Sequence, residues 1–334
     1  MIPLRQVDSI GPERGIQKGV VSGASMNPIH VHLLLNHFPT IGGVIAIGLY
    51  LAAFAKRNDD LKRASFALFV CIAVMSILAF VSGYAARDAL ANRSNISQPL
   101  LQAHMDGALL SLILMEITGV VAWFGLWQFR WNARPSRGLQ SMVMVLAVVT
   151  LAMMSATAYV GGGIGHEEIR SDQDAMTIPR WVSAAAVAKF MNGPWPIWAT
   201  TETVHFIGLS LLAGVTILIN LRLLGLMKGI PFAALDRLLP WGLLGLGINV
   251  VSGLLFFVGD PTQYDANPAF VWKMIFLVPA VATFLYVTIS DEVEAIGPGQ
   301  DGPSVAKLVG VGALVLWGGV LYFGRMLPYL GNAF

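Results

Sequence analysis

Long apolar runs separated by short polar stretches dominate the chain. Eight runs reach the length that a bilayer crossing takes, about 20 mostly apolar residues. They span 31–55, 64–87, 99–128, 139–162, 197–224, 238–258, 269–290 and 305–326. Each is too long for a strand and too evenly apolar for a helix with one wet face. The pattern predicts an all-α membrane protein with eight transmembrane helices. A longer polar stretch over 164–196 divides these helices into two sets of four. Within it, RWVSAAAVAKF (180–190) reads as a short interfacial helix. The expected organisation is an extramembrane arm over 1–30, a four-helix bundle over 31–163, a connection over 164–196 and a second four-helix bundle over 197–334.

Composition agrees: of 334 residues 56% are hydrophobic and only 12% charged, against about a quarter charged in soluble domains. A net charge of +2 gives no reason to expect nucleic acid. The single cysteine, Cys71, excludes a disulfide within the chain and covalent haem attachment through Cys-x-x-Cys-His. The first residues, MIPLRQVDSIGPERGIQKG, lack an apolar core, so no cleaved signal peptide is expected. Basic residues cluster at one side: Lys56, Arg57, Lys62 and Arg63, then Arg130, Arg134 and Arg137, then Arg222, Lys228 and Arg237. The positive-inside rule makes that side cytoplasmic and places both termini and the 164–196 connection outside. Arg87, Arg93, Arg170, Arg180 and Lys189 lie on the other side. Trp195, Trp198 and Trp241 fall near span ends, as in an aromatic belt. No Walker loop, zincin motif or GxSxG elbow occurs, which leaves a nucleotide-driven pump or hydrolase unsupported.

All six histidines fall near the same face of the predicted bundle. His37, His104 and His205 lie about two to three turns inside spans one, three and five. His30 and His32 precede span one, and His166 follows span four. An imidazole in lipid needs a partner, and a set of them at one level points to a shared ligand such as haem or a metal. His37 and His104, matched in depth on two spans, are the expected axial pair of a b-type haem. His32 and His166 form a shallower pair for a second haem or a metal. His32 and His37 differ by about 140° around a helix and cannot face one plane, whereas His30 and His37 share a face. Pro39 loosens the helix beside His37; a bond to a backbone carbonyl is the structural alternative for His37. Copper is the other candidate metal, given 14 methionines, although only Met153 and Met154 are adjacent and no Met-x-Met cluster occurs.

The segments HLLLNHFP in span one, His104 opening span three and AYVGGGIGH closing span four resemble an uncharacterised bacterial four-helix membrane family. Its pattern is His-Pro-x-x-x-His-Phe-Pro, a histidine at the third helix, then Gly-Gly followed by histidine. The resemblance covers residues 30–170 and falls on His32, His37, His104, Gly161, Gly162 and His166. Leu33 stands where the family has proline, and the final Gly-to-His spacing differs. Relatives are often joined to, or encoded near, Rieske or c-type cytochrome modules, so the resemblance implies respiratory electron transfer. Residues 197–290, with LRLLG and a later FVWK, resemble a second uncharacterised membrane family.

In the second half, His205-Phe206 echoes His37-Phe38, and small residues follow in both, as a four-plus-four duplication would leave. Glu202 and His205 share a helix face, and Lys273 begins span seven at comparable depth. The three could bond quinone oxygens and handle their protons; a purely structural polar cluster, with Lys273 reaching outward, is the other reading. His205 as a haem ligand lacks a second histidine in its half. Glu116, deep in span three, is a candidate proton carrier or interhelical partner. Asn220 and Asn249 read as interhelical glue, and Gly242, Gly245, Gly247 and Gly253 as close helix packing.

These features lead to one expectation: a b-type cytochrome subunit of a bacterial cytoplasmic membrane. It would pass electrons between a quinone and an extracytoplasmic partner, such as a c-type cytochrome or Rieske protein. The rivals are a cofactor-free transporter or channel and a structural anchor for an extracytoplasmic complex.

Overall fold

The computed structural model describes residues 27–91, 93–94, 96–132, 134–166, 170, 182–194 and 196–330. The helices run in the order α1 (Pro28–Leu35), α2 (His37–Lys56), α3 (Asp59–Leu90), α4 (Gln98–Asn132), α5 (Arg137–Gly165), α6 (Ala184–Met191), α7 (Ile197–Leu223), α8 (Phe232–Asp236), α9 (Leu239–Gly259), α10 (Pro268–Ile289), α11 (Asp291–Glu294) and α12 (Ser304–Leu330). No strand occurs among the described residues. Eight helical segments, with α1 and α2 counted as one, are long and apolar enough to cross a membrane. Their outward faces carry exposed apolar side chains such as Val145, Val315 and Leu308, which hydrocarbon would cover. The chain is therefore a multi-pass all-α membrane protein. Most of the predicted arm, 1–26, and residues 167–169, 171–181 and 195 of the connection, with Arg180 and Trp195, lie outside the described residues. The predicted short helix appears as α6, with Ser183 Oγ accepting from the Ala186 N–H at its start.

The first span breaks for a definite reason. Pro39 has no N–H to give the carbonyl four residues back, and its ring crowds that carbonyl. That carbonyl belongs to Leu35, where α1 ends. From there α2, α3, α4 and α5 pack in a closed ring, α2 against α3, α3 against α4, α4 against α5 and α5 against α2, with α1 laid on α3. Close approach between α3 and α4 needs glycine at Gly119, where a Cβ would stand 2.6 Å from the Ala73 Cβ. The α4–α5 seam carries polar side chains every seven residues, the repeat that keeps one face on a neighbouring helix. Thr118 meets Thr150 at 3.0 Å, Ser111 meets Thr157 at 3.1 Å, and His104 reaches the carbonyl of Thr157 at 2.9 Å.

The second half is arranged differently from the expected bundle. Its helices form a row, α9–α7–α12–α10, in which α9 meets α10 where Gly242 lies against the Phe284 ring. Both also lie against the first half, α9 on α4 and α10 on α3 and α4. Phe80, Tyr84, Met105, Leu109 and Leu112 of the first half pack there with Phe257 and Phe270. Trp123 Nε1 donates to Thr288 Oγ1 across the same boundary at 3.0 Å.

Two arginines counted as cytoplasmic charges are buried structural residues. Arg130, with a side chain 4% exposed, lies 3.2 Å from Asp236 and 3.3 Å from Glu294, and donates to the carbonyls of Val287 and Thr288. It thereby ties α4 to α8, α10 and α11. Arg222 is fully buried and donates to the carbonyls of Ile230, Gly297 and Gln300 at 2.6, 2.8 and 3.2 Å. Three carbonyls spread its charge over fixed dipoles, which is how a cation without a carboxylate survives burial.

Candidate functional site

The described histidines all belong to the end of the bundle where α1 begins and α5 terminates. There the imidazoles of His32 and His104 meet edge-on, with ring centroids 6.4 Å apart and planes crossed at 82°. Each ring is held in the same way. The His32 Nδ1–H donates to the carbonyl of Ala79 at 3.0 Å, with Ser82 Oγ beside it at 3.2 Å. The His104 Nδ1–H donates to the carbonyl of Thr157 at 2.9 Å. A carbonyl only accepts, so Nδ1 carries the proton on both rings and Nε2 keeps its lone pair.

A glycine lies four residues beyond each accepting carbonyl. A Cβ on Gly83 would come within 3.1 Å of His32 Cε1, and one on Gly161 within 2.8 Å of His104 Cε1. Each imidazole is therefore laid on a bare stretch of neighbouring helix, α3 for His32 and α5 for His104. The two halves of the site repeat one device: a helix carbonyl orients the ring and a glycine makes room for it.

This arrangement corrects the pairing expected from depth. His104 meets His32 and not His37. The His37 ring is exposed on the outside of the bundle and donates back to the carbonyl of Leu33 in its own span at 2.6 Å. The physical reason is the angle of about 140° between positions five apart on a helix: once α1 presents His32 to α3, His37 must turn away. His166 caps α5 and is exposed, with its backbone N–H on the carbonyl of Gly162; the structure does not set it against His32. His30 is exposed.

The expected cluster of Glu202, His205 and Lys273 is brought together only in part. The His205 ring lies on Ser252 and Phe256 of α9, with Nδ1 2.8 Å from Ser252 Oγ. Lys273 of α10 lies within electrostatic reach of it and beside Gly324 of α12. Glu202 is exposed and lines a cleft of about 480 Å³ with Trp198, Asp260 and Gln263. The Tyr264 phenol nearby is pushed up to about 12 by burial, with Asp260 and Glu202 adding to the effect.

Glu116 sits on α4 seven residues from both Leu109 and Trp123, on the stripe that faces the second half. Its buried Oε1 has no hydrogen-bond partner among the described residues. Asn220 and Asn249 each donate to the carbonyl four residues back in their own helix, at 2.7 and 2.8 Å. Asn220 is thus no interhelical clasp through its amide nitrogen, and its buried Oδ1 has no partner among the described residues. Gly242 and Gly245 do mark close packing: a Cβ would come 2.7 Å from Phe284 and 2.6 Å from the Gly208 carbonyl.

The centroid separation of 6.4 Å is what an iron held between two imidazoles would ask for. Two imidazoles bound to one ion from opposite sides, each at a nitrogen–metal distance of about 2.0–2.1 Å, place their centroids roughly 6 Å apart. Both bare nitrogens belong to rings oriented by carbonyls, the usual support for ligating histidines. The described residues hold no group of three or more His, Cys, Asp or Glu side chains able to grip a bare ion. No family model, no curated protein and no solved structure matches this chain.

Proposed function

We propose that the chain is a membrane-integral b-type cytochrome subunit, with His32 and His104 as the axial ligands of one haem. The observation that carries this reading is the pair of imidazoles, each proton-fixed by a helix carbonyl and backed by a glycine. Two axial ligands suffice where a macrocycle supplies the other four positions, and a bare metal would ask for more donors than the pair provides. The haem would supply the one-electron redox change. The residues of this chain do the rest: Ala79 and Thr157 hold the rings and raise their basicity, Gly83 and Gly161 admit them, and the closed ring of α2 to α5 excludes water.

In this reading the histidine end faces the extracytoplasmic side of a bacterial inner membrane. Electrons pass there between a quinone and a c-type cytochrome, Rieske protein or other redox subunit. The test is the absorption spectrum of the purified protein produced with ample haem. A Soret band with sharp reduced α and β bands is expected, and both His32→Ala and His104→Ala should lose the low-spin form. A wild-type protein without a Soret band, or both variants unchanged, would overturn the proposal.

Glu116 supports a second reading. A carboxyl with a buried oxygen that finds no partner among the described residues, set between two sets of four helices, suits a cofactor-free transporter that moves one set against the other. The same spectrum decides between the two, since transport of this kind leaves no visible band.

A further inference from the structure

We infer that α1 is a hinged arm latched onto α3 by His32, and that the two-histidine site takes an external ligand in the place His32 leaves. The arm follows from the geometry of the first half alone. The kind of ligand rests on the cytochrome reading.

The hinge lies between α1 and α2. Pro39 leaves the Leu35 carbonyl without a helical N–H, so one rung of the ladder is missing there. Side chains bridge the gap. Thr40 Oγ1 donates to the carbonyls of Asn36 and His37 at 3.3 and 3.2 Å, and the exposed His37 ring donates to the carbonyl of Leu33 at 2.6 Å. His37, which binds nothing across the bundle, thus spans the joint.

The arm beyond the hinge is lightly held. None of its eight residues is buried, and Leu33 and Leu34 are 51% and 69% exposed. It rests on α3 and touches α2 only near the joint. Among the described residues, His32 is the one side chain of α1 that hydrogen-bonds to another helix. Its latch has two acceptors. Ser82 gives its own proton to the Ala79 carbonyl at 2.9 Å, so Ser82 Oγ accepts at its contact with His32. The His32 Nδ1–H is therefore shared between the Ala79 carbonyl at 3.0 Å and Ser82 Oγ at 3.2 Å. Ser82 is a positioning residue for the arm.

His104 is mounted in the opposite way. It is the seventh residue of a 35-residue helix that packs on both α3 and α5. Leu100, Leu101, Met105 and Leu109 around it are buried. Moving His104 away from its place means moving a whole span and parting the Ser111–Thr157 and Thr118–Thr150 contacts. Lifting His32 parts one shared hydrogen bond and the contact of a two-turn helix. Local opening follows the weaker attachment, so the site opens on the α1 side.

The exchange is simple in its balance. The bond from His32 Nε2 to the metal breaks, a bond from the incoming lone pair forms, and nothing is oxidised or reduced. The incoming ligand is a small neutral donor of one lone pair, such as free imidazole or carbon monoxide. His104 stays in place on the other side.

The experiment uses the full-length protein in detergent and has two readouts. The first is amide hydrogen exchange without added haem, comparing 31–36 of α1 with 103–108 of α4. Exchange about tenfold or more faster in α1 is expected. Ser82→Ala should speed α1 a further threefold to tenfold, roughly the loss of one hydrogen bond, and leave α4 unchanged. Equal protection of the two segments, or no response of α1 to Ser82→Ala, would overturn the inference. The second readout is the absorption spectrum of haem-loaded His32→Gly and His104→Gly titrated with imidazole. Melting curves identify variants that fold, and His32→Ala and His104→Ala replace any that do not. Imidazole should restore the low-spin bands in the His32 variant only. Restoration in neither variant, in both, or in the His104 variant alone would overturn the inference. Wild type without a Soret band would sink the haem reading and leave the arm to be decided by hydrogen exchange. A Soret band with α1 as protected as α4 would do the reverse.

Discussion

The two halves start from the same motif, histidine followed by phenylalanine in a span with small residues, and end in different chemistry. In the first half two imidazoles, from α1 and α4, meet with their planes crossed at 82°. In the second half the helices form a row, and the one imidazole lies on Ser252 and Phe256 of α9. The orienting device is shared, since each inward ring gives its Nδ1 proton to the neighbouring helix and keeps Nε2 bare. What changes is the group across the gap. In the first half that group is a second imidazole; the second half has no other histidine.

The largest expected effect separates the halves outright. His32→Ala and His104→Ala should abolish the low-spin haem spectrum, while His205→Ala leaves it intact. His37→Ala is the sharper test, because depth alone would make it a ligand and the structure turns it outward. An unchanged spectrum in His37→Ala is expected, and its loss would restore the pairing that depth suggests.

The next effect concerns what holds the halves together. Arg130→Met breaks the buried pair with Asp236 and removes the bonds to the Val287 and Thr288 carbonyls, an expected loss of about 3–5 kcal/mol. Denaturant unfolding in detergent measures it. The double variant Arg130→Met with Asp236→Leu should recover most of the loss; no recovery would show that the carbonyl bonds of Arg130, and not its ion pair, join the halves.

Glycine substitutions give a graded comparison. Gly161→Ala forces a methyl to 2.8 Å from His104 and should cost about 1–3 kcal/mol by overpacking while disturbing the low-spin spectrum. Gly83→Ala, at 3.1 Å from His32, should act in the same direction and less. Gly253→Ala, 3.9 Å from His205, should be tolerated and gain about 0.5–1 kcal/mol of helix preference. Equal effects at all three positions would mean that the glycines are not shaped to the rings.

The smallest effects are pH-dependent and opposite in sign at the two ends. At the histidine end the Asp265 carboxyl is held above its ordinary range by burial and by a shared hydrogen bond with Asp88. The folded state binds that proton more tightly than the unfolded one, so stability falls as pH rises from the ordinary carboxyl range through the raised value. At the opposite end Asp301 is held low by the Lys228 ammonium, with Lys307 adding, and its contribution is lost as pH falls through the lowered value. Melting curves across the acidic range should flatten on one side in Asp265→Asn and on the other in Asp301→Asn.

Much of this architecture was legible in the residues. The eight spans follow from apolar length alone, and observed ends such as Ile197–Leu223 and Leu239–Gly259 lie within a few residues of expectation. The common level of the histidines was legible too, since an even number of crossings separates their spans. The pairing was not. Depth along a helix is a matter of counting, but the direction in which α1 faces depends on its contact with α3, which periodicity does not contain. The angle between His32 and His37 required a choice between them, and only the contact with Gly83 makes it. Gly83 itself carried no local signal beyond a small residue at the right depth. Arg130 and Arg222 misled for a related reason, because a basic residue at a span end has the same sequence signature whether it lies in water or among carbonyls.

The seven-residue spacing of hydroxyls between α4 and α5 makes assembly error and ligand geometry one quantity. A slip of α5 by a single turn, about 5.4 Å, would carry Thr150 past Thr118 and Thr157 past Ser111. The same slip would take the Thr157 carbonyl away from His104. A bundle wrongly zipped therefore loses the proton anchor of its imidazole together with its polar matches. The protein proofreads its own site through the ruler on which the site is mounted.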